Sequence, residues 1–237
     1  MNPAPLLLFS LVVVAAPSGP RRYSQLAIKD MEELAPVLRS QVAEIRIELF
    51  PDGPIIGEEE RIGYGVPWGE RRVVLLAPLL DRAKKVWIKG PKGELPAQVI
   101  LMDPVRRVAI LETKVPLLQV GLRNVPVREK RERKVDDEVF ALVSTAQESG
   151  VVYGVITQDG TDPEYEGHPR IDLKLDSGMP VFDDTARFVG YSRVVAFDQD
   201  RFMLITPEMI RGAQTATASA FRKPAPEDGK KRPWWAR

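Results

Sequence analysis

The chain is predicted to be an all-β protein, built as two six-stranded antiparallel β-barrels with one helix before the first barrel and one after the second. Three observations predict this. Short apolar runs, several of them alternating with period two, follow one another from Val42 to Thr206 and fall into two sets of about six. Gly, Pro and Asp punctuate nearly every junction, as in barrels and sandwiches with short strands. Helical spacing is found near the two ends. With 237 residues, 44% of them hydrophobic, the chain is long enough for a core of this size.

Taken from the N-terminus, Leu6 to Ala16 (LLLFSLVVVAA) is too short for a comfortable bilayer span and has the length of a signal-peptide apolar region. Small residues follow at Ala16-Pro17-Ser18, so residues 1–18 are expected to be an export signal, with an uncleaved anchor or a buried strand as the alternatives. A helix is expected over 24–40: Leu26, Ile28, Met31, Leu34, Val37 and Leu38 recur mostly at spacings of three and four, and Ser24 can cap it. The first barrel is placed at 41–115, with strand runs such as VAEIRIELF (Val42 to Phe50), RVVLLAPLL (Arg72 to Leu80) and ELPAQVILMD (Glu94 to Asp103). The second is placed at 116–206, with runs from PLLQVG through GVVYGVITQDG and RIDLKLD to RFMLIT. Pro207 opens a helix over 207–222 behind Thr206 as N-cap. The tail, 223–237, lacks the apolar pattern to pack alone; its terminal Trp234, Trp235 and Arg237 are of the types that anchor interfaces.

Composition narrows the chemistry. The 34 basic and 33 acidic residues nearly cancel, which disfavours nucleic acid as a partner. No cysteine and a single histidine exclude disulfides, thiolate chemistry and zinc sites built from Cys or several His, so no metal or cofactor is expected.

In order and spacing, the blocks from about Val37 to Arg222 resemble the trypsin-like serine proteases of bacterial type, in particular the HtrA/Deg group. VLRSQVAEIRIEL resembles the family's opening strand and RIGYGV its G-S-G-F segment. LLDRAKKVWIKGPKGELPAQVILMDPVRRVAILE follows the long stretch that ends in D-P-x-x-D-L-A-V-L, and DSGMPVFDDTARFVGY resembles the nucleophile segment with its following hairpin. The resemblance implies two six-stranded barrels with the active site in the cleft between them.

Position by position, the implied triad is broken. The nucleophile position is Ser177, but the base position falls on Pro78, which can neither accept nor donate the reacting proton. Arg107 stands at the acid position. Leu175 replaces the glycine whose N–H would join that of the serine in the oxyanion hole. His168 is expected in a surface loop of the second barrel, whereas the family's base comes from the first. Lys174 is expected to point away from Ser177 if the segment is a strand.

The expectation is therefore a catalytically inactive pseudoprotease, not an enzyme, exported to a bacterial periplasm or cell envelope and binding one or more proteins of unknown identity. A membrane-associated complex and any oligomeric state stay open. The alternatives are a residual or rewired serine hydrolase using Ser177, and a binder of anionic ligands using Arg106, Arg107 and the basic run REKRERK (Arg128 to Lys134). That run is otherwise read as a solvated linker, because Glu129 and Glu132 interrupt it. Asp162, Glu164 and Glu166 are read as an acidic loop, and Trp68 and Trp87 as packing residues.

Overall fold

A computed structural model describes residues 25–50, 59–144, 149–161, 167–195 and 198–222. The export signal, Ser24, the acidic loop residues Asp162, Glu164 and Glu166, and Trp234, Trp235 and Arg237 lie outside the described residues. Twelve strands form two closed barrels, as the sequence predicts.

The first barrel holds β1 (Ala43–Leu49), β2 (Glu60–Pro67), β3 (Arg72–Leu76), β4 (Ala83–Gly90), β5 (Gly93–Asp103) and β6 (Val108–Thr113), closed in the order β1-β2-β3-β6-β5-β4. The second repeats that order with β7 (Glu138–Ser144), β8 (Ser149–Gln158), β9 (Arg170–Ile171), β10 (Pro180–Phe182), β11 (Phe188–Val195) and β12 (Asp198–Ile205). Closure removes most of the free strand edge that an open sheet would expose.

β1 shows why these residues form strands. Ala43, Ile45, Ile47 and Leu49 are buried inside the barrel, while Glu44, Arg46 and Glu48 face outward, where Lys89, Glu60, Glu94, Lys84 and Lys85 meet them from neighbouring strands. Period two thus separates an apolar core from an outer face of ion pairs. Trp87 lies on that outer face, with the Arg46 guanidinium 4.0 Å above its ring.

Two runs expected to be strand are not. Ala77–Leu80, the end of RVVLLAPLL, is a 3₁₀ turn with Pro78 near its start, and Leu117–Val120 is a second 3₁₀ turn closed by Gly121 at φ +81°. Four apolar residues fill a barrel mouth equally well as strand or as turn. The run RIDLKLD keeps only Arg170–Ile171 as strand; Leu173 and Leu175 still point into the second core on irregular backbone.

The barrels share a third core. Val66, Val74, Leu76, Val108 and Ile110 of the first meet Phe140, Phe182, Phe188, Tyr191 and Ile205 of the second. Phe188 is the centre of an edge-to-face group, 5.0 Å from Tyr191, 6.0 Å from Phe182 and 6.4 Å from Trp68. The Tyr191 hydroxyl crosses the interface to donate to the Val74 carbonyl at 2.5 Å.

Both helices cover this shared core. α1 (Gln25–Gln41) buries Leu34 and Leu38, and although it precedes the first barrel it packs on β7 and β8 of the second. Pro36 lies within it on an exposed position, where the ring deletes one helical hydrogen bond. α2 (Pro207–Arg222) starts as expected: the Thr206 carbonyl accepts from the Ile210 N–H, and Ile210 and Ala213 are buried.

Candidate active-site cleft

The three positions that the resemblance assigns to a triad converge at the junction of the barrels. The 3₁₀ turn Ala77–Leu80 follows β3 and presents Pro78 to solvent. Arg107 ends the β5–β6 turn, and its carbonyl accepts the Ala77 N–H at 2.9 Å, so the base and acid positions are tied backbone to backbone. Across the interface, the Ser177–Gly178 turn lies against the same 3₁₀ turn. A Cβ built on Gly178 would sit 3.5 Å from Leu79 Cδ1 and 3.7 Å from Leu76 Cδ1, and one on Gly63 of β2 would clash with Leu79 at 2.8 Å.

Neither Pro78 nor Arg107 offers a base to Ser177. Proline offers no titratable atom, and the guanidinium of arginine is a donor with no acceptor. Arg107 is exposed and has φ +58°, the left-handed region that disfavours a branched Cβ environment and is uncommon outside glycine. Its neighbour Arg106 is held by Asp103, which accepts the Arg106 N–H at 2.9 Å and Nη1 at 2.8 Å. Burial pushes the Asp103 carboxyl up, but these bonds outweigh it and hold the group below the usual carboxylate range.

Ser177 is itself occupied. Its Oγ accepts the Val194 N–H at 3.0 Å, taking the place of a backbone carbonyl beside β11. The neighbouring residues complete a short extension of the ladder: Gly178 N–H to the Ser192 carbonyl at 2.8 Å, Ser192 N–H to the Met179 carbonyl at 2.9 Å. Ser192 Oγ accepts from Met179 N–H at 3.0 Å and donates to the Asp176 carbonyl at 2.5 Å. Gly178 takes φ +95° to make the turn, which is where its freedom is needed. Leu175 is buried with Leu173, Met179 and Val181, so its side chain belongs to the second core.

Three expectations are corrected here. His168 is not a surface histidine: it is 8% exposed, and its Nδ1 is 2.9 Å from the Leu204 carbonyl, which can only accept, so Nδ1 carries the hydrogen. Lys174 lies on irregular backbone, so the strand parity that would turn it away from Ser177 does not apply. The run REKRERK is not a solvated linker. Lys130–Glu132 forms a 3₁₀ turn with a capping box between Glu129 and Glu132, and Arg128 and Arg133 turn inward.

That run is a clamp between the barrels and α2. Arg133, with 2% of its side chain exposed, binds Glu208 at 2.9 Å; Arg128 binds Asp137 at 2.6 Å; and Arg211 of α2 makes two bonds to Glu129, at 2.9 and 2.7 Å. Asp183, fully buried in the β10–β11 turn, accepts from Thr185, from the Arg187 N–H and from Arg187 Nε. Burial pushes the Glu208 carboxyl up, yet hydrogen bonds from Arg133, Thr206 and its own backbone hold it below the usual range. Sequence alone does not reveal this network, because its acceptors lie as far as Glu208.

The chain's sequence matches no protein-family model and no curated protein. Its structure is similar to the HtrA-type protease AlgW solved with a tripeptide, at a TM-score of 0.62 and 16% identity over 82% of this chain. It is equally similar, at 0.62 and 16% over 77% of this chain, to a serine-to-alanine variant of that protease with tripeptide. The chain spans 63% and 62% of the length of those two solved chains. The fold is thus the trypsin-like double barrel of HtrA-type proteases.

Proposed function

We propose that this protein is a trypsin-like pseudoprotease that binds polypeptide without cleaving it and serves as a scaffold or accessory subunit of a bacterial envelope assembly. The observation that carries the reading is Pro78 at the tip of the 3₁₀ turn that packs on the Ser177 turn. The resemblance assigns the base to this position, and proline offers no atom that takes a proton. Loss of one triad member alone lowers kcat by on the order of 10⁴ to 10⁶. Arg107 adds an unsuited charge at the position the resemblance gives to the acid, and Leu175 stands where the family has a glycine.

Binding is supported by what the first barrel leaves open. β4 pairs with β5 only from Gly90 to Val86, opposite Ala97; among the described residues no strand pairs with Gln98 to Asp103 on that side. Val99, Ile100 and Met102 are 42 to 50% exposed along this stretch, and Val105 beyond it is 87% exposed. A free edge with apolar side chains accepts an extended segment through main-chain hydrogen bonds. Peptide is also the ligand class in the solved protease of similar fold. The apolar run Leu6 to Ala16 supports export.

A fluorophosphonate probe tests the inactive reading: the folded protein is expected to stay unlabelled, and labelling that disappears in Ser177→Ala would overturn it in favour of a serine hydrolase. Crosslinking in native envelopes tests the binding reading. A reproducible polypeptide partner lost in Ile100→Glu is expected, and recovery of none counts against the scaffold role.

A further inference from the structure

Val99 of β5 stands opposite Leu111, a fully buried member of the first core, so its side chain points to the inner face of the sheet in one row with Leu95 and Ala97. Leu95 and Ala97 pack on that core, whereas Val99 is 42% exposed, because β4 accompanies β5 no further than Val86 opposite Ala97. Among the described residues, no strand takes the place that β4 leaves. At this fork lies a cavity of about 710 Å³, lined by Gln98 and by four cations, Arg71, Lys84, Lys85 and Lys114. We propose that the edge of β5 takes an extended polypeptide segment in which apolar residues alternate with glutamate or aspartate, the apolar ones covering Val99 and the acidic ones entering the cavity, which rests on the reading of that edge as a polypeptide site.

A strand laid along an edge turns successive side chains to opposite faces. Every second residue of the bound segment therefore meets the inner row, where Val99 lacks cover, and the others meet the outer face. On that face Glu112, the one carboxylate among the described lining residues, is held by Arg72 at 2.9 Å. Lys84 and Lys85 share the single carboxylate of Glu48, at 2.7 and 3.1 Å. Arg71 commits only its backbone carbonyl, to Thr113, and neither its guanidinium nor Lys114 pairs with a described carboxylate. An acidic side chain thus meets Lys84 and Lys85 beside the edge. Arg71 and Lys114 approach from β6, two strand spacings or ~10 Å away, a gap that two long side chains close together. The same groups repel a basic segment. That argues against residues 223–237 of this chain, where Lys223, Lys230, Lys231, Arg232 and Arg237 outnumber Glu227 and Asp228. A polyanion without apolar residues would leave Val99 uncovered.

The test is fluorescence anisotropy of labelled, terminally blocked peptides titrated with the full chain at low, constant ionic strength. One peptide alternates Val and Glu, one alternates Val and Lys, and one has the Val and Glu residues in two separate blocks. Saturable binding of the alternating Val/Glu peptide, about tenfold tighter than of either other, is expected. The preference over the Val/Lys peptide is expected to shrink several-fold in the double variant Arg71→Ala/Lys114→Ala and to persist in Arg123→Ala, an exposed arginine outside the cavity. Arg71 and Lys114 are both exposed, so the double variant is expected to fold, which its thermal unfolding checks. Absence of saturable binding, equal binding of the Val/Lys or the blocked peptide, or a preference intact in the double variant overturns the proposal. The envelope partner lost in Ile100→Glu separates the two readings: if that partner is recovered while the Glu and Lys peptides bind alike, the edge holds polypeptide and only the acidic pattern is refuted.

Discussion

The hydroxyl of Ser177 serves the fold, because it accepts the Val194 N–H that the end of the ladder would leave unpaired. Ser177→Ala is expected to lower unfolding free energy by about 1 kcal/mol, measured by urea denaturation. Asp183 carries more. Replacing it by alanine removes the buried acceptor shared by Thr185 and Arg187 and leaves their N–H donors without it, at an expected cost of about 1–3 kcal/mol by the same measurement. The Glu208 carboxyl is held below its usual range in the folded state, so its contribution is fully present above the unfolded value and is lost as pH falls through the folded one. Acid titration of stability in Glu208→Gln is therefore expected to show a smaller loss below about pH 4 than in the parent chain.

Elements differ in how plainly their residues announce them. β1 was legible because one face is core and the other water, which imposes alternation on seven residues. The same logic found both helices, and Thr206-Pro207 marked the start of α2. The 3₁₀ turns were not legible: APLL and LLQV are short apolar runs with no period, and only the packing at each barrel mouth decides their form. Within the cleft, Pro78, Arg107, Leu175 and Ser177 carry roles only through the family resemblance, whereas the burial of His168 and the inward turn of Arg128 and Arg133 depend on partners supplied by distant elements. At this scale β2 and β3 make a sharp prediction. A Cβ on Gly65 would lie 2.4 Å from Val73 Cγ1 and 2.9 Å from the Val74 carbonyl, so Gly65→Ala is expected to cost about 1–3 kcal/mol, seen as a lower thermal midpoint.

As a whole molecule the protein has three cores, and the one between the barrels contains the largest aromatic side chains. Separated, the second barrel would expose Phe182, Phe188 and Tyr191. Calorimetry is therefore expected to show one unfolding transition for both barrels, and two resolved transitions would refute that coupling. The connection between the barrels leads to one more consequence. A loose tether would let the halves breathe. This tether is bolted at Glu129 to α2 and at Arg128 to Asp137. The two barrels are consequently expected to behave as one stiff body, with the connection acting as a brace rather than a hinge.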